Sequence, residues 1–159
     1  MIYHTGAKPE RVGVDDPVDQ ADEVAAMREL KKVLLLEDVP ANAGVVQMAL
    51  KAVCDIEVQH AMTGEEALEA FRHFNPDLCL FDLVLPGMSG LETMQQLPTG
   101  HDVPVVFLTA WADRELGEIL LGAGAVDIVS KPFDALKLGA RLEKAFRYHQ
   151  RMSQLKTAS

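Results

Sequence analysis

The sequence has few of the residues that mark special classes of protein. It contains only two cysteines, Cys54 and Cys79, which stand among apolar neighbours and have no metal-binding spacing. Both are expected to be buried free thiols, as in the reducing cytoplasm. No apolar run approaches the roughly 18 residues that cross a bilayer, and the N-terminus lacks the apolar stretch of a signal peptide. We therefore expect neither export nor insertion in a membrane.

Basic residues are also scarce. Fifteen Lys and Arg stand against 24 Asp and Glu, so that the formal net charge is −9 and the isoelectric point is near 4.9. Direct nucleic-acid binding is not expected, because neutralising phosphates needs clustered cations. The 159 residues, 48% hydrophobic and 25% charged, suit one globular domain with short appendages.

The chain divides into three predicted segments. Residues 1–31 form an N-terminal extension, which begins as a mobile arm to about residue 17 because Gly and Pro interrupt any periodicity. A short amphipathic helix is predicted within 18–32. Residues 32–152 form the main domain, and 153–159 form a C-terminal tail.

Five short apolar runs alternate with segments of helical period, the pattern of βα units around a parallel sheet. The runs are KVLLLE at 32–37, IEVQHA at 56–61, DLCLFD at 77–82, VPVVFL at 103–108 and AVDIVS at 125–130. The predicted fold class is therefore α/β, a doubly wound sheet of five parallel strands.

Apolar residues three or four positions apart predict the intervening helices. The marker residues are Val46, Leu50 and Val53 for the first helix, Ala67, Phe71 and Phe74 for the second, and Leu116, Leu120 and Ala123 for the fourth. The third is short and ends before Pro98, and the fifth runs from about Asp134 to near Met152, with Leu138, Leu142 and Ala145 or Phe146 facing inward. Capping boxes, Thr63 with Glu66 and Ser89 with Glu92, start the second and third helices.

Polar residues follow four of the predicted strands. Glu37 and Asp38 come after the first strand, Asp82 ends the third, Thr109 follows the fourth, and Lys131 follows the fifth. An open parallel sheet places its ligand site at the carboxyl ends of its strands. We therefore expect these side chains to meet in one pocket.

Three carboxylates held together repel one another, by on the order of 4 kcal/mol per pair at about 4 Å and an effective dielectric near 20. Mg²⁺ suits such a cluster because it binds through one or two carboxylates, keeps several waters and accepts a phosphate. A carboxylate such as Asp82 is a competent nucleophile for phosphoryl transfer, while Thr109 and Lys131 offer a hydroxyl and a cation to the phosphoryl oxygens. The alternative is that the acids are separate, solvated loop residues.

Four blocks of the sequence, LLLEDVPAN, LCLFDLVLPGMSG, VVFLTA and VSKPF, resemble those of the two-component response regulator receiver family over roughly residues 32–150. The resemblance implies a flavodoxin-like (β/α)5 fold with strand order 2-1-3-4-5. It also implies that Asp82 is the phospho-acceptor and a Mg²⁺ ligand. Asp38 would be a direct ligand, Glu37 a ligand through water, and Val84 a ligand through its carbonyl oxygen.

The same resemblance implies how the site is used. Thr109 would be the switch hydroxyl and Lys131 the phosphate-binding lysine, with a cis peptide between Lys131 and Pro132. The phosphoryl group would come from a phosphohistidine on a histidine kinase or phosphotransferase, and an unknown downstream protein would read the face of helix 4, strand 5 and helix 5. Such a protein is a switch rather than an enzyme, and we expect it to act alone or as a phosphorelay intermediate.

Two features depart from the family pattern. Ile128 stands where many receivers have an aromatic residue three positions before the lysine, which puts the usual aromatic coupling to the output face in doubt. Val84 and Trp111 flank the route by which water would reach an acyl phosphate, which predicts a long-lived phosphorylated state. The alternative is that Trp111 packs away from the pocket.

Other functions fit the residues less well. An aspartyl phosphatase needs a second acid where Val84 stands, and the acidic EDVPAN loop would repel the phosphate of a flavin. A receiver-like scaffold that is never phosphorylated would lack the acceptor, an acidic ligand or the lysine, all of which are present. A receiver module excised from a longer regulator stays open as the alternative context.

Overall fold

The computed structural model describes residues 27–111 and 113–157. It contains one five-stranded sheet in which neighbouring strands pair in parallel, in the order β2-β1-β3-β4-β5. The strands are β1 (Lys32–Leu36), β2 (Glu57–Ala61), β3 (Leu78–Asp82), β4 (Val105–Thr109) and β5 (Asp127–Ser130). The predicted fold class and strand order are confirmed. Each predicted apolar run overlaps its strand, because β3 and β4 are buried on both faces and the other strands are at least partly covered.

Five helices connect and cover the strands. They are α1 (Pro40–Cys54), α2 (Gly64–Phe74), α3 (Gly90–Gln95), α4 (Arg114–Gly122) and α5 (Ala135–Thr157). Both predicted hydroxyl caps are present, since Thr63 Oγ1 accepts from the amide of Glu66 at 3.2 Å and Ser89 Oγ from that of Glu92 at 3.1 Å. The carboxylate of Glu66 accepts from the amide of Met62 at 2.8 Å rather than from the cap residue itself.

The helices form two layers, one on each face of the sheet. On one face α1 and α5 pack through Leu50, Leu142 and Phe146, and on the other α2, α3 and α4 pack through residues such as Phe71 and Leu120. The predicted inward residues of α5 are all buried. Two predicted helix markers, Val53 and Ala123, are instead exposed.

The segment before β1 corrects one prediction. The amphipathic helix predicted within 18–32 lies largely outside the described residues, and residues 28–31, which are described, are not helical. The cause is tertiary: the Asp77 carboxylate accepts from the amides of Lys31 and Lys32 at 3.0 and 2.9 Å. These bonds hold the chain against the start of β3, and Lys32 already belongs to β1.

The C-terminal end corrects another. Helix α5 continues five residues past Met152, so that the predicted tail of 153–159 is helical as far as Thr157. The imidazole of His149 and the hydroxyl of Ser153 both contact Asp102 Oδ1, at 2.8 and 2.9 Å. These contacts fix the last turns of the helix to the loop before β4. In the part of the chain that is described, no helix has the length and apolarity needed to span a membrane.

Candidate functional site

Three carboxylates meet at the carboxyl edge of the sheet. Strands β1 and β3 are neighbours, with Leu36 opposite Phe81, so Glu37 after β1 and Asp82 at the end of β3 are brought side by side. One oxygen from each of Glu37, Asp38 and Asp82 lies within 4.8 Å of the other two. Glu37 and Asp82 are buried and Asp38 is half-buried.

Lys131 reaches this cluster from the end of β5. Its Nζ lies 2.6 Å from Asp82 Oδ2 and 3.1 Å from Glu37 Oε2. Burial lowers the pKa of Lys131, but its hydrogen bonds to Asp82 and Glu37 and their negative charges outweigh burial and raise the pKa above the usual range. The lysine is therefore a cation at neutral pH. The peptide between Lys131 and Pro132 is cis, as the resemblance implied.

Thr109 ends β4 at the same edge. It is buried, and the parallel register of β4 and β5 places it opposite Ser130, next to Lys131. Its carbonyl oxygen accepts from the amide of Lys131 at 2.8 Å. The side-chain oxygen Oγ1 accepts from the amide of Trp111 at 3.0 Å, so the hydroxyl proton remains available to donate to another acceptor.

The loop after β3 folds closely over Asp82. The amide of Val84 donates to Asp82 Oδ1 at 3.3 Å, and the amide of Gly90 donates to the carbonyl oxygen of Leu83 at 3.0 Å. A Cβ at Gly90 would collide with the carbonyl oxygen of Asp82. Helix α3 can therefore begin this close to the site only with glycine. The side chains of Val84 and Trp111 are largely exposed, at 61% and 72%.

The donor set fits a hard divalent cation. Three carboxylates converge, and oxygen ligands of this kind are those that Mg²⁺ prefers. Within residues 27–111 and 113–157, the Asp38 carboxylate has no hydrogen-bond or ion-pair partner, although it lies beside two other acids. A single lysine balances only part of this charge.

One contact at the site was not anticipated from the sequence. His60 Nε2 lies 2.7 Å from the carbonyl oxygen of Glu37 and must donate to it. The register of β1 with β2, in which Leu35 faces His60, brings the imidazole to the turn that contains Glu37. Only this cross-strand alignment, which the sequence does not reveal, could have identified it. His73 and His101 lie on α2 and in the loop before β4, outside the pocket.

Comparison with known proteins assigns the family. The model of the response regulator receiver domain family matches residues 33–143. The chain belongs to this family. The DNA-binding response regulator MtrA of Mycolicibacterium smegmatis is 34% identical over 120 residues, which cover 76% of this chain and 52% of MtrA. This receiver thus spans about half the length of that relative.

Solved structures agree with the assignment. The chemotaxis protein CheY4 of Vibrio cholerae is 26% identical with a TM-score of 0.65, over 73% of this chain and 98% of its own. A CheY-like response regulator receiver domain protein of Methanospirillum hungatei is 25% identical with a TM-score of 0.69, over 77% and 98% of the two chains. The protein is therefore a receiver of two-component signalling. Receivers of this family interact with histidine kinases or phosphotransfer proteins.

Proposed function

We propose that this receiver accepts a phosphoryl group on Asp82 from a partner phosphohistidine and relays the event by a change of conformation. The observation that carries the proposal is the joint position of Asp82, its two acidic neighbours and Lys131. If the three acids were separate, solvated loop residues, their carboxylates would not be expected to lie together beside a lysine at the edge of the sheet. A carboxylate oxygen of Asp82 attacks the phosphorus, the bond from phosphorus to the histidine nitrogen breaks, and an acyl phosphate forms.

Asp38, Glu37 and Asp82 would hold Mg²⁺, with Glu37 acting through a water molecule and the carbonyl oxygen of Val84 completing the protein ligands. The fit rests on the convergent carboxylates and on the unpartnered Asp38. Bound Mg²⁺ supplies positive charge to the phosphoryl oxygens during transfer. The lysine alone cannot balance three acids and an incoming phosphoryl group.

Lys131 and Thr109 stabilise the product. The ammonium group now bound to Asp82 Oδ2 turns to a phosphoryl oxygen, and the hydroxyl of Thr109 donates to another. Movement of Thr109 alters the end of β4, whose carbonyl oxygen binds the amide of Lys131. The shift is thereby passed to β5 and to the face formed by α4, β5 and α5, where an unidentified downstream protein would bind.

In this proposal the chain is a phospho-acceptor switch and not an enzyme acting on a separate substrate, and it does not bind nucleic acid directly. It works as a single-domain regulator or a phosphorelay intermediate. The alternative context is a receiver module of a longer regulator.

Intact-mass measurement after incubation with acetyl phosphate and Mg²⁺ tests the acceptor. The parent should gain one phosphoryl group, and Asp82→Asn should gain none. Asp55→Asn is the matched control, because Asp55 is an exposed aspartate at the end of α1 whose left-handed backbone suits asparagine. A phosphoryl group on Asp82→Asn, or none on the parent, would overturn the proposal. Chelation of Mg²⁺ should abolish the gain in the parent.

A further inference from the structure

Helix α5 is strongly basic in a chain that is acidic overall. It carries six of the fifteen basic residues, namely Lys137, Arg141, Lys144, Arg147, Arg151 and Lys156, and one acid, Glu143. Only two of the remaining nine basic residues belong to residues 1–26, which carry six acids: Glu10, Asp15, Asp16, Asp19, Asp22 and Glu23. The N-terminal 26 residues and α5 therefore have opposite charge.

A cavity of about 500 Å³ lies beside α5, next to the residues that directly follow the N-terminal 26 in the sequence. It opens between residues 27–31 and the distal half of α5. Four cations and two acids line it: Arg28, Lys31, Arg147, Arg151, Glu29 and Glu143. Lys31 pairs with Glu29 at 3.1 Å, so the excess positive charge comes from the arginines.

Arg147 and Arg151 are exposed and stand one turn apart on the same side of α5. Counting only residues 27–111 and 113–157, neither has a carboxylate within ion-pair distance. Most other arginines of the described chain are paired, Arg28 with Asp77, Arg114 with Glu118 and Arg141 with Asp127. Among the described residues, therefore, no carboxylate balances the charge of these two arginines, and both line the cavity.

The chain is held at the rim of this cavity. The side-chain amide of Gln150 makes two hydrogen bonds to the backbone of Arg28. Arg28 N donates to Gln150 Oε1 at 2.9 Å, and Gln150 Nε2 donates to the Arg28 carbonyl oxygen at 3.0 Å. The guanidinium of Arg28 also lies 5.9 Å from the ring centroid of Phe146. Met27, where the described chain begins, lines the same cavity as Arg147 and Arg151.

We propose that the acidic segment 15–23 docks on the exposed pair Arg147 and Arg151. Glu23 stands four residues from Met27 and can reach at most about 14 Å, which suffices because Met27 lines the same cavity as both arginines. Exposed ion pairs are individually weak, but tethering so close gives an effective concentration in the millimolar range.

Cys54 provides a probe that is already in place. Its thiol is half-buried and lines the cavity, whereas Cys79 is fully buried. The rate at which uncharged iodoacetamide alkylates Cys54 in the full chain, followed by peptide mass, reports whether the acidic segment is near. Both shielding of the thiol and nearby negative charge slow the reaction.

The variant Asp19→Asn/Asp22→Asn/Glu23→Gln should alkylate Cys54 about three- to tenfold faster than the parent in low salt, with the difference vanishing near 0.5 M salt. In the Arg147→Gln/Arg151→Gln background, whose own loss of charge sets a new reference rate, the same neutralisation of the segment should leave the rate unchanged. The matched control Glu65→Gln/Glu69→Gln/Glu115→Gln removes three exposed acids from α2 and α4, on the other face of the sheet, and should leave the rate unchanged.

Charge exchange separates docking from a general effect of charge. In the parent, Asp19→Lys/Asp22→Lys/Glu23→Lys should speed the reaction. In the Arg147→Glu/Arg151→Glu background the same change should slow it, because the lysines can dock on the new acids and shield the thiol, whereas a general effect of charge would speed it in both. Equal rates for the parent and the neutralised segment, or lysines that speed the reaction in both backgrounds, would overturn the proposal. Each outcome is independent of phosphorylation at Asp82.

Discussion

The Nζ atom of Lys131 lies 2.6 Å from Oδ2 of Asp82, although the two residues are 49 positions apart in the chain. Their contact exists because β3 and β5 flank β4 in one parallel sheet and end at the same edge. The lysine ammonium is therefore close enough to bind a phosphoryl group that is attached to Asp82.

Replacing Lys131 should separate metal binding from phosphoryl transfer. Lys131→Met removes a cation from beside two buried acids, so the affinity for Mg²⁺ should rise a few-fold. Phosphorylation by acetyl phosphate should fall by about 10²-fold, because a charge that stabilises the phosphoryl oxygens is lost. Titration with Mg²⁺ and intact mass measure the two effects. Lys137→Met, the same change on an exposed lysine of α5, should alter neither the Mg²⁺ affinity nor the phosphorylation. Normal phosphorylation of Lys131→Met would show that Lys131 has no part in phosphoryl transfer.

Trp111 should lengthen the life of the phosphorylated state. The indole is 72% exposed, so it does not contribute to the core and is free to cover the acyl phosphate against water. Trp111→Ala should shorten the dephosphorylation half-life about two- to fivefold while changing the free energy of unfolding by less than about 0.5 kcal/mol. Tyr148→Ala, an exposed aromatic residue on α5, serves as the control. Equal half-lives for the parent and Trp111→Ala would rule out shielding.

The contact of α5 with α1 depends on Gly139. A Cβ at this position would collide with the thiol of Cys54, so Gly139→Ala should destabilise the domain by about 1–3 kcal/mol in urea unfolding. Cys54→Ala removes the colliding sulfur atom, and the double variant should recover most of the loss. Gly122→Ala, whose Cβ would meet nothing within 4 Å, should be neutral or slightly stabilising. No recovery in the double variant would place the strain elsewhere.

His101 should make the stability of the domain sensitive to mild acid. Burial lowers the pKa of its imidazole, the charge of Asp102 partly offsets this, and His149 adds to it. Because the folded-state pKa lies below the unfolded value near 6.5, the unfolded chain takes up the proton first. The contribution of His101 to stability is therefore complete above about pH 6.5 and is lost as the pH falls from there through the folded-state pKa.

Urea unfolding from pH 7.5 to 5 measures this slope. His101→Gln should flatten it, while His73→Gln, at an exposed histidine of α2, should leave it unchanged. The geometry agrees with a neutral ring, since His101 Nδ1 accepts from the amide of Val103 at 3.1 Å. An unaltered slope in His101→Gln would assign the acid sensitivity to other groups.

The strands and the site were largely predictable from sequence because both depend on the same feature, the end of a buried apolar run. In a parallel sheet such ends share an edge, so Glu37, Asp82 and Lys131 could be expected to meet. The individual hydrogen bonds of the site could not be predicted from the ends of the apolar runs. Which oxygen of Asp82 the lysine binds, and that His60 supports Glu37, depend on side-chain packing and on strand register.

The ends of the chain show where local pattern is insufficient. Asp102 fixes the last turns of α5 through His149 and Ser153, and Asp77 keeps the residues before β1 extended. Both contacts join residues more than 40 positions apart, which periodicity over a short window does not detect. The N-cap of α4 was also missed: Asp113 Oδ1 accepts from the amide of Leu116 at 2.7 Å, but a leucine rather than a glutamate stands three positions after Asp113, so the sequence has no capping box there.

The most direct test of the account locates the phosphoryl group chemically. The phosphorylated parent is treated with sodium borohydride, which reduces an acyl phosphate to an alcohol, and the reduced residue is identified by peptide mass. We expect one aspartate to be converted to homoserine, and we expect that residue to be Asp82. Reduction at any other acidic residue, or a phosphoryl group that resists borohydride, would contradict it.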